Sequence, residues 1–403
     1  MPVRNAIVIA VDGLRASALG TYGNTWHDTP ALDRLASQSL VLDSMWCATP
    51  TRDGFYRDIW GSAQPVGPPY GIDSALITDD PWVAQAADVR GFSEVRHLEM
   101  DAAELASTVA DTSLAQLFTV ATDYLATWTD ASANADAGVP PKLLWLHTRG
   151  FHGPWDAPLE LRQRLLDADD PPPLDFVTPP DLLAVEGHDM ALLHRAAYGA
   201  QVAVLDECME ALLAAIAELD VHANTLLMLV GCRGYALGEH GFVGRSCRNL
   251  YSELLHIPCL VQRPGEEGPP PRSARLTQPR DLHSMLAAWF AMDGMSASGT
   301  VSEPAHWMLS TDLPGDEGPA LIVATGEDGE RAARTHAWML RQTGVVTAST
   351  PSELYVKPDD RWEANEVADR CGDVAERLLA AASGAVDGQL AGSLDADLGR
   401  PAS

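Results

Sequence analysis

The chain has 403 residues, of which 46% are hydrophobic and 21% charged, a balance that excludes long disordered segments. This length allows a large buried core and favours one large domain plus a smaller one. The 56 acidic and 27 basic residues give a net charge of -29, which disfavours nucleic acid, anionic lipid and long polyanions as partners.

Short runs rich in leucine and β-branched residues alternate with helical patterns over the first 300 residues. This alternation is typical of an α/β fold whose mostly parallel sheet has helices on both faces. Thr29 and Pro30 are suited to the N-cap and the first turn of the first helix. The predicted strands are residues 5–11, 40–46, 74–78, 142–148, 225–231 and 257–263, and predicted helices include 29–39, 102–128 and 189–219.

Two proline-rich stretches, residues 167–181 and 263–279, are predicted to be surface loops, because proline lacks the backbone N–H that helices and central strands need. After about residue 300 the pattern changes to short strands such as "ALIVATG", "HAWMLRQT" and "SELYVKPDD". They predict a small antiparallel sheet, followed by a helix at about 373–382. We therefore expect an α/β domain over 1–300 and a small α+β domain over 301–403.

The six cysteines form no C-x-x-C pair and have no regular spacing, so neither a zinc site nor a disulfide framework is indicated. The opening "MPVRNAIVIAVDG" shows no secretion signal, and no apolar stretch approaches the roughly 20 residues that cross a bilayer. We expect a cytoplasmic protein without a membrane partner.

Several longer segments resemble those of a known family. They are "IVIAVDGLRASALGTYGN", "LLWLHTRGFHGPWDAP" and "ALGEHGFVGRSCRNLYSELLHIPCLVQRPG". With them the chain resembles the sulfatase family of the alkaline phosphatase superfamily, nearly end to end. The resemblance implies a mostly parallel sheet between helices, plus a small C-terminal antiparallel sheet with a helix.

The family's nucleophile is a Cys or Ser in a C/S-x-P-S-R motif, and the Cys is matured to formylglycine. In this sequence Ala48 occupies the nucleophile position, and a methyl group cannot attack an ester. Cys47 is adjacent, but a shift of one residue turns a side chain to another face. The hydroxyls of Thr49 and Thr51 are more typical of turn or helix caps. The positions that match the motif are Pro50, Thr51 and Arg52.

The family also holds a divalent cation, usually Ca²⁺, which needs six or more oxygen ligands. Two pairs of ligand positions correspond here to Asp12 and Gly13 and to Cys232 and Arg233. An arginine offers five donors and no acceptor, so it cannot ligate a cation. We therefore expect neither Ca²⁺ nor formylglycine, and we predict a direct ion pair between Asp12 and Arg233 at the former metal position.

Sulfate is bound in the family by basic side chains. Arg52, His152 and Arg245 match such positions and predict a small anion pocket for a sulfate- or phosphate-bearing ligand. The family's K-x-H segment near residue 80 is missing. Asp79 and Asp80 stand there instead, and their charges would repel an anion.

The sequence thus favours a sulfatase-family protein that has lost catalysis and is kept for binding or assembly. The alternative is an active sulfuric- or phosphoric-ester hydrolase with a rearranged, metal-independent site, for instance Thr49 activated by His152 with arginines replacing the metal's charge. A third interpretation is a pure interaction partner of an active homologue. The sequence is compatible with a homo-oligomer as well as a hetero-oligomer. For His147 and His240 a structural role is at least as consistent with the sequence as a catalytic one.

Overall fold

The computed structural model describes residues 4–60, 72–100, 102–132, 140–265, 271–291, 308–309, 319–343, 351–385 and 398. The strands are β1 Asn5–Val11, β2 Leu40–Met45, β3 Asp73–Thr78, β4 Glu94–His97, β5 Lys142–Thr148, β6 Leu182–Ala184, β7 Thr225–Gly231, β8 Ala236–Leu237, β9 Phe242–Gly244, β10 Cys259–Gln262, β11 Arg272–Thr277, β12 Ile322–Thr325, β13 Arg331–Arg334, β14 Trp338–Gln342 and β15 Ser352–Val356. The helices are α1 Pro30–Ala36, α2 Arg52–Trp60, α3 Pro81–Arg90, α4 Ser113–Ser132, α5 Leu159–Gln163, α6 His188–Glu218, α7 Ser252–Leu255, α8 Pro279–Ala291 and α9 Gly372–Ser383.

Eight strands form the large sheet in the order β11-β2-β10-β7-β1-β5-β3-β4. Neighbouring strands are parallel except on either side of β10, which runs antiparallel to both β2 and β7. At the centre, Val11 of β1 pairs with Thr148 of β5 and with Gly231 of β7. The carboxyl ends of these three strands are therefore level, and the residues that follow them meet at one edge of the sheet.

The sheet is covered by helices on both faces, as the alternating pattern predicts. Along β1, Ile7 and Ile9 belong to one apolar cluster, which includes residues of α1, α4 and α6. Ala6 and Val8 belong to a second cluster, with residues of α2 and α8. Because both faces of its central strands are buried, these strands are continuous apolar runs.

A four-stranded antiparallel sheet, β12-β13-β14-β15, follows the large sheet in the chain. Helix α9 packs on it, and Leu340, Leu354 and Leu378 share one apolar cluster. The predicted small sheet and its helix are thus confirmed. The predicted boundary at residue 300 lies outside the described residues, so the division into domains stays a prediction.

Two details of the predicted elements were wrong, and a third was confirmed only in part. Part of the predicted loop 263–279 is the edge strand β11, which pairs in parallel with β2 and has an irregularity between Ser273 and Leu276. The helix predicted over 102–128 begins only at Ser113, whose backbone N–H donates to Asp156 (2.7 Å). Thr29 and Pro30 stand at the N-cap and the first turn of α1 as predicted, but the Thr29 side chain makes no cap hydrogen bond, and its Oγ1 accepts from Gly20 N (3.0 Å).

In the described part of the chain, no helix has both the length and the apolar character needed to span a membrane.

Candidate functional site

The candidate site lies at the carboxyl edge of the central strands. Asp12 follows β1, Cys232 follows β7 and Arg149 follows β5. Backbone hydrogen bonds fix this edge, since Asp12 N donates to Thr148 O (3.0 Å) and Cys232 N donates to Val11 O (3.0 Å). Ligands and catalytic groups of open α/β sheets gather at this edge.

An ion pair between Asp12 and Arg233 occupies the centre of the site. Arg233 donates from Nε to Asp12 Oδ1 (2.8 Å) and from Nη2 to Asp12 Oδ2 (3.0 Å), so the contact is two-pronged. The Asp12 side chain is 2% exposed and that of Arg233 14%. Burial by itself would raise the pKa of Asp12, but the Arg233 guanidinium holds it well below its usual range. The predicted pair is confirmed.

The two other positions that correspond to metal ligands offer no oxygen. Gly13 has φ +82°, and a Cβ built there would lie 2.5 Å from His152 Cδ2 and 2.8 Å from Phe151 Cβ. An aspartate therefore does not fit at this position without a backbone change. Cys232 is fully buried in an apolar cluster, and burial raises the pKa of its thiol. The residues present do not fit a Ca²⁺ ion.

His152 lies beside the pair, with Nδ1 3.9 Å from Asp12 Oδ2. Its side chain is 3% exposed, and within the described part of the chain neither ring nitrogen makes a hydrogen bond of normal geometry. Burial lowers the pKa of His152 to about 3, although Asp12 opposes the shift. The imidazole is therefore neutral at pH 7 and retains unused hydrogen-bonding capacity next to two charged groups.

In the loop that corresponds to the nucleophile loop, Ala48 has no nucleophilic group, and the Cys47 thiol and the Thr51 hydroxyl are engaged in other contacts. Ala48 is 8% exposed, and the Cys47 thiol faces Leu254 O (3.4 Å), with its pKa raised by burial. Thr51 Oγ1 accepts from Gly54 N (2.8 Å), which makes it the N-cap of α2. The Thr49 side chain lies against α2, since a Cβ on Gly54 would be 2.6 Å from Thr49 Cβ.

Arg52, at the start of α2, is bound to a carboxylate. Its Nη1 donates to Asp80 Oδ1 (3.1 Å) and Oδ2 (2.9 Å), and its guanidinium carbon lies 4.6 Å from the Trp82 ring centroid. Asp80 also caps α3 by accepting from Trp82 N (2.8 Å) and Val83 N (3.2 Å). The charge of Arg52 is thus paired with Asp80, one of the two acidic residues that replace the basic segment.

His147 lies near the carboxylate of Asp80 that binds Arg52. Its Nδ1 is 2.6 Å from Tyr56 Oη, and its Nε2 is 3.9 Å from Asp80 Oδ2. Tyr56 Oη accepts from Trp145 Nε1 (3.2 Å), so its own proton is available for His147 Nδ1. Burial lowers the pKa of His147 to about 4. A neutral imidazole with its proton on Nε2 is consistent with the Tyr56 contact, and Nε2 itself makes no hydrogen bond in the described part of the chain.

Arg245 lies at the outer edge of the site. Its Nη1 donates to the backbone oxygen of His152 (3.1 Å), and its Nε pairs with Asp181. The side chains of Arg245 and Asp181 are 38% and 74% exposed, so this ion pair is held weakly. The Arg245 guanidinium is therefore in contact with the backbone of His152, while its role in anion binding stays a prediction.

The sequence matches the Sulfatase family over residues 78–292. This chain belongs to the sulfatase family. Among curated proteins no match was found. Solved structures with the same fold include the phosphonate monoester hydrolase of Agrobacterium radiobacter (16% identity, TM-score 0.65, 94% of each chain covered). Two others are the sulfatase-like protein yidJ of Bacteroides fragilis (15%, 0.69, 94% of each chain) and BT4656, bound to its substrate D-glucosamine-2-N,6-O-disulfate (13%, 0.62, 94% of this chain and 96% of that one).

Some contacts of this sulfatase-family site were not predicted from the sequence. Cys247 donates its thiol to Pro50 O (3.1 Å) and lies beside Arg233, with its pKa raised by burial. Asp79 accepts from Arg149 N (2.8 Å), and burial raises its pKa to about 6. No local signal marks these partners, because each contact joins residues far apart in the chain. The spacing of Arg52 and Tyr56, four residues apart on α2, could have indicated a shared face.

Proposed function

We propose that this sulfatase-family protein does not hydrolyse sulfate esters and serves a binding role. The observation that carries the proposal is the two-pronged ion pair of Asp12 and Arg233, which places a guanidinium against the carboxylate that would ligate a metal. Ala48, at the nucleophile position, has no group that can attack an ester. The related structures named above include hydrolases, but their likeness to this chain is below 25% identity and supports the fold alone.

The test is an assay of the purified protein on aryl sulfates, phosphomonoesters, phosphodiesters and phosphonate monoesters, with and without Ca²⁺, Mg²⁺ or Mn²⁺. We expect no turnover above a boiled control. Turnover that persists through further purification and disappears in Arg52→Ala would support the alternative, an active ester hydrolase with a rearranged site. Metal-independent turnover of that kind would assign the charge stabilisation to the arginines.

We further propose that the ligand is a small sulfate- or phosphate-bearing molecule bound between Arg52, His152 and Arg245. Arg52 contacts Asp80 through Nη1, and Arg245 is held by an exposed aspartate that an anion can displace. The neutral His152 can donate one hydrogen bond without an added charge. The net charge of -29 favours a small anion over a polyanion.

Calorimetric titration with inorganic sulfate and phosphate tests this ligand class. We expect binding that Arg245→Ala weakens by about tenfold or more, corresponding to one lost charge-assisted contact of about 1.4 kcal/mol. Arg272→Ala is the matched control, because Arg272 is also exposed and also pairs with an aspartate, Asp43. Equal weakening in both variants would show a nonspecific charge effect and contradict the pocket.

We also propose a cytoplasmic location, supported by the six cysteines, which are all free thiols in the described structure.

A further inference from the structure

A polar cluster joins the large α/β unit to the small C-terminal sheet, away from the ion pair of Asp12 and Arg233. At its centre His240 follows β8 in the turn that leads to β9. Its Nδ1 lies 2.8 Å from Glu253 Oε1 on α7, and its Nε2 lies 3.4 Å from the backbone oxygen of Glu363. Glu363 belongs to the segment between β15 and α9, so one imidazole contacts both units.

The chemistry of the two partners defines the protonation state of His240. A backbone carbonyl can only accept a hydrogen bond, and an ionised carboxylate can only accept one as well. With Glu253 ionised, both ring nitrogens donate, which requires an imidazolium. Burial would lower the pKa of His240, but Glu253 and the Glu363 carbonyl raise it above its usual value. Burial raises the pKa of Glu253, and the contact with His240 opposes that shift by favouring the carboxylate.

The surroundings hold the imidazole in this position. Its ring is stacked on Tyr251, with 3.4 Å between centroids and 3° between planes, and Arg341 lies over the Tyr251 ring at 4.1 Å. Lys357 donates to the Glu363 carboxylate and to the backbone oxygens of Asp360 (2.6 Å) and Arg361 (3.2 Å). The three side chains His240, Glu253 and Glu363 could otherwise surround a metal ion. The ammonium of Lys357 already supplies the positive charge there.

The small unit also covers part of the candidate site. The turn after β12, residues 325–330, lies on the nucleophile loop, because Thr325 N donates to Ala48 O (2.9 Å). Glu327 N donates to Cys247 O (3.1 Å) in the same turn. The segment that holds Glu363 is tied to the same small sheet, since Lys357 N donates to Ala337 O (2.7 Å). Movement of the small unit at His240 would therefore move this cover.

We propose that His240 is a proton-operated clasp that holds the small C-terminal unit, and the turn at residues 325–330, over the candidate site. While the imidazolium is present, it bridges Glu253 and the Glu363 carbonyl. When it loses its proton to solvent, one ring nitrogen becomes an acceptor. The lone pair of Nε2 then faces the carbonyl oxygen, or that of Nδ1 faces the carboxylate, and the bridge is broken.

The direction of the pH effect follows from the charges around His240. Because its pKa is raised in the folded protein, the clasp is fully formed below about pH 6.5 and is lost as the pH rises through the raised pKa. The titratable and charged groups that face the clasp are Glu239, paired with Arg15 at 2.7 Å, and Glu253, Glu363, Lys357, Tyr251 and Arg341.

Amide hydrogen exchange read by mass spectrometry on the full chain tests the clasp. After correction for intrinsic exchange, we expect the protection of residues 247–253 and 325–330 to fall between pH 6 and pH 9. The fall should be about tenfold for each unit by which the pKa of His240 in the folded protein exceeds its value in the unfolded chain. His240→Gln should remove this pH dependence. His222→Gln should keep it, because His222 is an exposed histidine paired with Asp220 outside the cluster. Protection that falls equally in wild type and His240→Gln would overturn the proposal.

A second measurement needs no variant. The ring proton signal of His240 in wild-type protein should titrate with a pKa above the usual histidine value of about 6.5. A His240 pKa at or below that value would also overturn the proposal, even if His240→Gln failed to fold.

Discussion

At the level of single residues, an arginine of the same chain supplies the positive charge at the position where the sequence resemblance predicts a cation. Arg233 brings one fixed positive charge and two parallel donors to Asp12. The ion pair could be predicted from the sequence, because Asp12 and Arg233 stand at positions whose side chains bind the same cation in the family. The backbone conformation of Gly13 could not be predicted from the sequence, since a φ of +82° is a property of the folded turn.

The first prediction concerns the pair itself. Arg233→Met should lower the free energy of unfolding by about 3–5 kcal/mol, because it leaves the buried Asp12 charge without a partner. The double variant Asp12→Leu with Arg233→Met should recover most of this loss. Urea denaturation of the three proteins at pH 7 measures both values. A single variant as stable as wild type, or a double variant as unstable as the single one, would contradict a buried, coupled pair.

The second prediction concerns rescue of catalysis. Ala48→Ser restores a hydroxyl at the nucleophile position but no cation to activate it, so the variant should not hydrolyse aryl sulfates. Adding Gly13→Asp should not help, because the new Cβ would collide with His152 and Phe151. Turnover by Ala48→Ser alone would show that the arginines replace the metal and would favour the alternative of an active hydrolase.

At the level of elements, the central strands were predictable and the edges were not. Strands β1, β5 and β7 agree with the predicted ranges, because burial on both faces makes them continuous apolar runs. The edge strand β11, "RSARLT", has four polar residues among its six and follows a proline-rich stretch, so its sequence resembles a loop. The start of α4 depends on Asp156, 43 residues away, which no local pattern reveals.

The third prediction concerns the start of α2. Thr51→Ala should lower the free energy of unfolding by about 1 kcal/mol, because Thr51 Oγ1 accepts from Gly54 N. Thr51→Ser keeps that acceptor and should cost much less. Thermal or urea denaturation compares the two variants. If alanine and serine had the same effect, the hydroxyl would not act as a helix cap.

At the level of the whole molecule, protonation acts on the structure in two opposite directions. His240 is held in its charged form, so its contribution to stability is lost as the pH rises. His147 and His152 are buried in their neutral forms, so their contribution is lost as the pH falls. In a chain with a net charge of -29, these buried histidines thus contribute a pH dependence that the count of charges does not reveal.

The last prediction concerns the acid side of this range. The folded pKa values of His147 and His152 are about 4 and about 3, below the usual 6.5, so the unfolded chain takes up protons first as the pH falls. The contribution of these two histidines to stability is therefore complete above pH 6.5 and declines below it, by about 2 kcal/mol for each histidine at pH 5. Urea denaturation at pH 7 and pH 5 should show this loss, and His152→Asn should reduce it. His222→Asn, at an exposed histidine, should leave the loss unchanged. Equal pH dependence in wild type and His152→Asn would show that His152 is not held neutral in the fold.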